Sequence, residues 1–184
     1  MNEMNSRLRS IDLETDRLVL RRFQPGDEID LFDYTGDAGS SLFLQRTQHA
    51  DIQHTQQVLE NWCHKKWQDG SAEFAWILGC KETNKALGLF FVFSNGHACE
   101  IHYGISKAFR GKGLIVEAGH AVVRHVLTHP FIQRIWTVCD VENHASRRVL
   151  EKLGFECEGT LRRWLMLPAF GDQARDCYCF SMTH

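Results

Sequence analysis

The sequence lacks a strong excess of charge of either sign. It has 21 Lys and Arg against 23 Asp and Glu, a formal net charge of -2. Proteins that bind nucleic acid or anionic lipid through electrostatics usually carry a marked positive excess. We therefore expect neither nucleic acid nor a membrane as a partner.

Long apolar runs are also missing. The longest, Leu87 to Phe93 (LGLFFVF), is far too short to cross a bilayer and is typical of a buried strand. The N-terminal stretch MNEMNSRLRSIDLETD mixes charges and has no apolar core, so it is not a secretory signal. These absences predict a cytoplasmic protein.

The sequence contains no repeat, low-complexity tract or linker. Its 184 residues, 43% of them hydrophobic, are enough for one domain with a real core. We assign residues 1–14 to an N-terminal extension and residues 15–184 to a single domain.

Its seven cysteines form no Cys-x-x-Cys pair, and their number is odd. This pattern favours reduced thiols over a disulfide framework or a zinc site. His125 and His129 lie one helical turn apart and could bind a metal, but no third ligand is apparent. Solvated histidines on a helix are the better interpretation, and we predict no metal.

Hydrophobic periodicity predicts an α/β fold with the order β-α-α-β-β-β-α-β-α-β-β. The hairpin turns KETNK and SNGH separate three predicted strands, which are followed by strands joined through helices. We expect a mixed, mostly antiparallel sheet of six to seven strands flanked by about four helices. The predicted strands cover 17–23, 73–79, 86–93, 98–105, 134–140, a stretch from 155 and 176–182; the main helices cover 51–68, 114–128 and 143–153.

A glycine-containing loop, FRGKGLIVEAGH, joins the third hairpin strand to a helix. It lacks the spacing and hydroxyl of a Walker loop, and Val116 stands where a Rossmann loop needs its third glycine. The amides of Arg110, Gly111, Lys112 and Gly113 meet at a helix N-terminus, where the helix dipole favours an anion. The loop therefore suits a pyrophosphate; the alternative is an ordinary turn with solvated basic residues.

Two longer stretches carry a family resemblance. EIHYGISKAFRGKGLIVEA and ENHASRRVLEKLGFECEGTLR resemble the GNAT superfamily of N-acetyltransferases, and TDRLVLRRF resembles the first strand of its ribosomal-protein N-terminal acetyltransferase group. The resemblance extends from about Thr15 to Met182. It implies a GNAT-type fold and an enzyme that transfers an acetyl group from acetyl-CoA to a primary amine.

The resemblance also implies a binding mode for acetyl-CoA. The pyrophosphate would lie on the amides of residues 110–114, the pantetheine arm would pair with the backbone near Ile105, and Asn143 would lie near the thioester. Ile115 stands where the family usually has a small residue, and its larger side chain would crowd the diphosphate. The implied cofactor-binding residues are Ile105, Arg110, Gly111, Lys112, Gly113, Leu114, Ile115 and Asn143.

Glu100 is the candidate general base, because it begins the segment in which the family commonly has a glutamate beside the acceptor. On a strand, Glu100, His102 and Gly104 share one face. His102 stands where the family usually has glycine, so it would serve as a second base or narrow the pocket. The alternative for Glu100 is a surface ion pair.

Ser146 matches the serine of the family's N-x-x-S motif and is the candidate proton donor to the departing thiolate. Asn143 and Ser146 also look like helix-capping residues, and the two roles can coexist. We interpret Glu117 as structural and leave Glu158 open. Aromatic residues would wall the acceptor pocket or belong to the core: Trp62, Trp67, Trp164 and Phe170.

The acceptor amine is the least specified part. An α-amino group has a pKa near ~8 and a lysine near ~10.4, so deprotonation at neutral pH costs about 1 and about 4.6 kcal/mol respectively. One carboxylate with a water relay suits the α-amino group, which costs less free energy to deprotonate. This favours a protein or peptide N-terminus as the acceptor. The alternatives are a small amine (polyamine, amino acid or aminoglycoside) and a non-catalytic acyl-CoA-binding module. The protein would be a monomer or homodimer.

Overall fold

In the computed structural model, which describes residues 8–183, eight strands form one sheet and helices cover both of its faces. The strands are β1 (Leu13–Glu14), β2 (Leu18–Arg21), β3 (Glu73–Cys80), β4 (Ala86–Asn95), β5 (Ala98–Ile105), β6 (Arg134–Asp140), β7 (Glu156–Leu165) and β8 (Arg175–Thr183). The helices are α1 (Asp27–Thr35), α2 (Ala38–Ser41), α3 (Ile52–Glu60), α4 (Lys66–Gln68), α5 (Leu114–Leu127) and α6 (His144–Leu153).

The strand order across the sheet is β1-β2-β3-β4-β5-β6-β8-β7. Within residues 8–183 every neighbouring pair is antiparallel except β5 and β6. The predicted class of fold, a mixed and mostly antiparallel sheet with flanking helices, is confirmed. The expected count of six to seven strands was one too low, because β1 has only two residues and leaves no alternation to detect.

The segment before Thr15 is folded onto the sheet wherever the structure describes it. Leu8 is 3% exposed and belongs to the main core. The indole Nε1 of Trp76 donates to the carbonyl of Ile11 at 2.7 Å, and His125 Nε2 lies 2.8 Å from the carbonyl of Arg9. Residues 8–14 therefore contribute to the packing around α5.

Residues 51–68, predicted as one helix, are α3 and α4 joined by a π-helical turn over Asn61–Lys65. A π turn adds a residue to the helical repeat and so rotates the face that follows it. Trp62 lies beside β4, and Trp67 packs in the main core. The short helix α2 is also new; the Asp37 side chain caps it by accepting from the Ser40 amide at 2.6 Å.

Strand β3 divides the core between the two faces of the sheet. Phe74, Trp76 and Leu78 pack with α5 in the main cluster, while Ala75 and Ile77 pack with α1 and α3 in a second one. A strand covered on both faces has no polar positions, which explains its continuous apolar sequence.

Strands β5 and β6 separate after a short paired start. They pair in parallel only at Ala98, Cys99 and Glu100. Beyond Glu100, β5 continues to Ile105 along β4, whereas β6 continues to Asp140 along β8. The sheet therefore opens into a wedge whose walls are the far ends of β5 and β6.

Candidate active site

A continuous groove of about 800 Å³ occupies this wedge. The far ends of β5 and β6, the glycine loop and the start of α6 line one part. The end of α1, the loop after α2, α3 and β4 line the other. A groove of this size suits an extended ligand of several hundred daltons.

The glycine loop opens into the groove at the N-terminus of α5. Gly111 and Gly113 both have φ of +76°, a left-handed conformation that glycine adopts without the steric cost of a Cβ. Gly113 is the N-cap and supplies no side-chain acceptor. The first amide of α5 to find an intrahelical partner is that of Glu117, so the amides of Leu114, Ile115 and Val116 remain available for an anion.

The two cations of the loop are directed differently from each other. Arg110 folds back, and its guanidinium donates to Ser40 Oγ at 2.7 Å and to the Ile105 carbonyl at 3.4 Å. The Lys112 ammonium lies over the Phe109 ring, 5.1 Å from its centroid. Arg110 lines the groove and joins the loop to α2. Lys112 does not line the groove and contributes to the loop only through its backbone.

Ile115 is 8% exposed, and its side chain belongs to the main core. The core therefore accommodates most of the bulk that the resemblance suggested would crowd a diphosphate. Ile105 is likewise buried in that core while its backbone borders the groove.

His102 and Glu100 form a hydrogen-bonded pair on β5. The His102 Nε2 and Glu100 Oε1 atoms are 2.8 Å apart. His102 lines the groove, and its ring lies edge-on to Phe93 with centroids 5.5 Å apart. Glu100 does not line the groove itself and reaches it through His102.

Ser146 lies in the first turn of α6 and lines the groove. Its amide donates to Asn143 Oδ1 at 3.1 Å, so Asn143 caps the helix as predicted. Its hydroxyl is 3.0 Å from the phenol oxygen of Tyr103. Burial raises the pKa of Tyr103 well above its usual value, so this phenol is protonated at neutral pH.

The other two glutamates that the sequence singled out hold strands together outside the groove. Glu117 accepts hydrogen bonds from Thr15 and from the amide and guanidinium of Arg17. Partial burial acts to raise the pKa of Glu117, but these bonds hold it below its usual value. Glu158 pairs with Arg134 and accepts from Ser181, and these bonds lower its pKa to about 2.

The predicted aromatic wall is only partly present. Trp62 lines the groove, edge-on to Phe91 and Phe93 at 5.6 and 5.3 Å. Trp67 is a core residue that donates to the Ala75 carbonyl. Trp164 is 58% exposed and lies outside the groove, because β7 bulges at Arg163 (φ +51°) and turns the next side chain outward. Phe170 stacks on Phe43, which does line the groove.

Sequence reasoning missed many of the groove residues, among them Tyr34, Arg46 and Asp140. Tyr34, at the end of α1, lies so close to Gly104 that a Cβ there would be 1.7 Å from the phenol oxygen. Arg46 lies on the loop between α2 and α3, and its guanidinium is 5.6 Å above the Tyr34 ring. Asp140, at the end of β6, is held by Arg175. The glycine at 104 was the one signal that a neighbour approaches β5 closely.

The family profile described as Acetyltransferase (GNAT) domain matches residues 17–156, which is most of the chain. This protein belongs to the GNAT acetyltransferases. The predicted enzyme class is therefore confirmed, and with it acetyl-CoA as the cosubstrate. The groove fits that molecule, because the unpaired amides of α5 are donors for a diphosphate and the wedge leads from them toward His102.

The GNAT acetyltransferase has relatives of known name. The [ribosomal protein uS5]-alanine N-acetyltransferase of Escherichia coli (strain K12) is 29% identical over 171 residues, which are 88% of this chain and 87% of that protein. A GNAT-family acetyltransferase from Bacillus anthracis has the same fold, with a TM-score of 0.82 at 20% identity over 94% of this chain and 98% of that one. RimL, a ribosomal L7/L12 alpha-N-protein acetyltransferase whose structure contains coenzyme A, has a TM-score of 0.79 at 18% identity over the same shares.

Two further findings bear on the other expectations. In residues 8–183 no helix is both long and apolar enough to cross a membrane. Over the same residues no three His, Cys, Asp or Glu side chains come together as metal ligands would, and the seven cysteines are free thiols.

Proposed function

We propose that this GNAT acetyltransferase acetylates the α-amino group of a peptide or protein N-terminus, with His102 as the base that takes the amine proton. The hydrogen-bonded pair of His102 and Glu100 beside the groove carries this proposal. An imidazole base suits an amine of pKa near ~8, whereas a lysine near ~10.4 needs several kcal/mol more. The relative named [ribosomal protein uS5]-alanine N-acetyltransferase supports the same acceptor class.

The hydrogen bond defines the tautomer that catalysis needs. A carboxylate only accepts, so Nε2–H of His102 donates to Glu100 and Nδ1 carries the lone pair. Nδ1 accepts the proton as the amine attacks, and the Glu100 carboxylate stabilises the imidazolium that forms. Glu100 is thus a positioning residue here, and His102 is the group that meets the acceptor.

The other reacting atom is the sulfur of acetyl-CoA, which supplies an activated thioester. Ser146 is the proposed donor to the thiolate, and Tyr103 backs it, because a protonated phenol can donate to the serine oxygen while the serine proton points elsewhere. Capping of α6 by Asn143 holds this serine in place without using its hydroxyl.

Peptide pairs test the acceptor class. The protein is incubated with acetyl-CoA and an alanine-initiated peptide containing one internal lysine, in a free and an N-formylated form, and products are read by mass spectrometry. We expect acetylation of the free peptide at its N-terminus and none of the formylated one. Spermidine, an aminoglycoside and free amino acids form a parallel panel. Acetylation of the polyamine or aminoglycoside alone would contradict the proposal.

Variants of the pair test the roles. His102→Gln should lower kcat by about 10²- to 10³-fold and leave acetyl-CoA binding unchanged. Glu100→Gln should lower kcat by less, because the ring keeps a hydrogen-bond acceptor but the imidazolium that forms loses its carboxylate partner. Glu73, on β3, forms an exposed ion pair with Lys66. Glu73→Gln breaks that pair and serves as the matched control. Acetyl-CoA binding with no turnover in the wild type would favour a non-catalytic binding module.

A further inference from the structure

Arg46 is a half-buried cation on the acceptor side of the groove. Its Nη1 donates to the carbonyls of Thr35 and Thr47 and to Ser41 Oγ, at 3.2, 3.0 and 3.2 Å. Among the residues that the structure describes, no carboxylate forms an ion pair with it, although most arginines with a buried or partly buried charge have one.

The groove offers nothing else that would neutralise this charge. His49 lies beside it, and burial together with the charges of Arg46 and His54 lowers the pKa of His49 to about 4, so the ring is neutral. Burial raises the pKa of Tyr34 against the opposing effect of Arg46, so that phenol is also neutral. Asp140 is the one carboxylate among the described lining residues, and Arg175 pairs with both of its oxygens.

The position of Arg46 relates it to the reacting amine. Its guanidinium lies over the Tyr34 ring, and the Tyr34 hydroxyl touches the backbone of β5 at Gly104. Gly104 and His102 are on the same face of that strand, about 7 Å apart along it. One peptide unit spans about 3.5 Å, so two units, or one unit and a long side chain, cover the distance from His102 to Gly104 beside Tyr34.

We propose that Arg46 selects amine acceptors that carry an anionic group close to the reacting amine. This inference rests on the proposed acetyl transfer and specifies its substrate class. The anion comes from an acidic side chain near a peptide N-terminus or from the free carboxylate of an amino acid. The same charge, with Arg110, Arg148 and Lys152 also lining the groove, disfavours polyamines and aminoglycosides.

The cofactor does not account for Arg46 in this scheme. The diphosphate has the free amides of α5, and the exposed cations Arg148 and Lys152 lie along the groove-facing side of α6. Arg46 lies on a different element, the loop between α2 and α3.

Matched peptides test the selection. Three alanine-initiated peptides differ only at the second residue, which is Glu, Gln or Lys, and kcat/KM is measured for each. We expect the Glu peptide to exceed the Gln peptide by about tenfold and the Lys peptide by more, with both ratios shrinking in high salt. A free amino acid and its amide form a second pair, which distinguishes the free-carboxylate source.

Variants assign the preference to Arg46. Arg46→Gln keeps a donor for the loop carbonyls and should make the Glu and Gln peptides equivalent, Arg46→Lys should retain part of the preference, and Arg46→Glu should reverse it toward the Lys peptide. Acetyl-CoA KM should stay within about twofold in all three. The control, Arg124→Gln, removes an exposed arginine of α5 outside the groove.

The outcomes separate this inference from the proposed function. Equal use of the three peptides by the wild type, or an unchanged preference in Arg46→Gln, would overturn it, as would a loss of acetyl-CoA affinity alone. Calorimetric titration of the same peptides into the protein with bound coenzyme A measures the preference without turnover. A Glu-over-Gln preference there in an inactive protein would support Arg46 while the acetyl transfer fails.

Discussion

His102 and Glu100 illustrate how one substitution changes the chemistry available at a strand. A glycine at position 102 would leave Glu100 to act on the acceptor through water, at a distance. The imidazole fills that space, lies edge-on to Phe93, and bonds to Glu100 through Nε2. The proposed base and the carboxylate that orients it therefore come from alternate residues of a single strand.

His49 makes stability depend on pH. Its pKa is lowered from 6.5 to about 4, chiefly by burial, so the unfolded chain takes up a proton in a range where the folded one does not. The stability that His49 contributes is complete when the pH is above 6.5, the ordinary pKa, and is lost as the pH falls from there toward 4. We expect a loss on the order of 2 kcal/mol over that range, measured by urea unfolding at a series of pH values.

His49→Asn provides the comparison for that loss. Asparagine keeps a polar atom near Thr55 Oγ1, which lies 2.9 Å from His49 Nδ1, but it does not titrate. The unfolding free energy of the His49→Asn variant should change less with pH than that of the wild type. Parallel curves for the two proteins would show that His49 is not the group responsible.

Cys139 lines the groove, yet we expect it to take no covalent part in catalysis. It is 5% exposed, and burial raises its pKa to about 12, so it is a thiol rather than a thiolate at neutral pH. Cys139→Ala should keep kcat within about threefold while losing roughly 1 kcal/mol of stability from the small cavity. An acetylated Cys139 peptide found by mass spectrometry during turnover would contradict this expectation.

The loop before α5 shows how an element can prepare a binding site by leaving its own groups unpaired. Three of the six helices in residues 8–183 begin with a side-chain cap, supplied by Asp37 for α2, Asp51 for α3 and Asn143 for α6. Helix α5 begins at Gly113, which has no side chain to compete for the first amides. The first amides of α5, at the end of the helix that faces the groove, are thus left free to donate hydrogen bonds to a bound ligand.

Replacing Gly113 tests this role. Alanine at φ +76° adds strain of about 1 kcal/mol and moves the amides that follow, so the KM for acetyl-CoA should rise about tenfold with a smaller change in kcat. Gly96→Ala is the control: its φ is +60°, it lies between β4 and β5 on the far hairpin, and nothing would contact the added Cβ. An equal rise in KM for both variants would mean that general destabilisation is the cause.

Across the whole molecule, the wedge depends on the strands beyond it. β6 leaves β5 after Glu100 because β8 pairs with it over its full length, from Arg134 to Asp140. The Asp140 side chain is fully buried, and its two oxygens bond to the guanidinium of Arg175 at the start of β8 at 2.5 and 2.9 Å. This pair holds the end of β6 that forms one wall of the groove.

Removing Arg175 should therefore destabilise the fold. Burial acts to raise the pKa of Asp140, and the arginine holds it below its usual value. Arg175→Met leaves the carboxylate uncompensated and should cost about 3 kcal/mol in urea unfolding, with partial recovery in the double variant with Asp140→Asn. The control Arg147→Met breaks an exposed pair with Glu151 and should cost less than about 0.5 kcal/mol. Equal losses for the two arginines would refute a structural role for the buried pair.

Local patterns were sufficient for most elements of this chain. The alternation along 98–105, the turn residues between β3, β4 and β5, and the capping signals around α6 each depend on neighbours in sequence, so they were predictable without knowing the fold. The two-residue β1, the π turn and the outward rotation of Trp164 were not, because each depends on pairing or packing with a distant strand. The glycine loop was identified from its own residues, and the candidate residues on β5 and α6 from the family resemblance.

The chain's own order of residues was enough to indicate the family, the cosubstrate and the residues Glu100, His102 and Ser146. Which of these reach the groove, and which charged groups face it, depended on contacts between segments far apart in the chain. Tyr34 meets β5 across more than fifty residues and Arg46 lies over the Tyr34 ring, and no periodicity encodes those contacts. Side-chain chemistry is a property of single residues, whereas a site is a set of distances, and folding alone sets those.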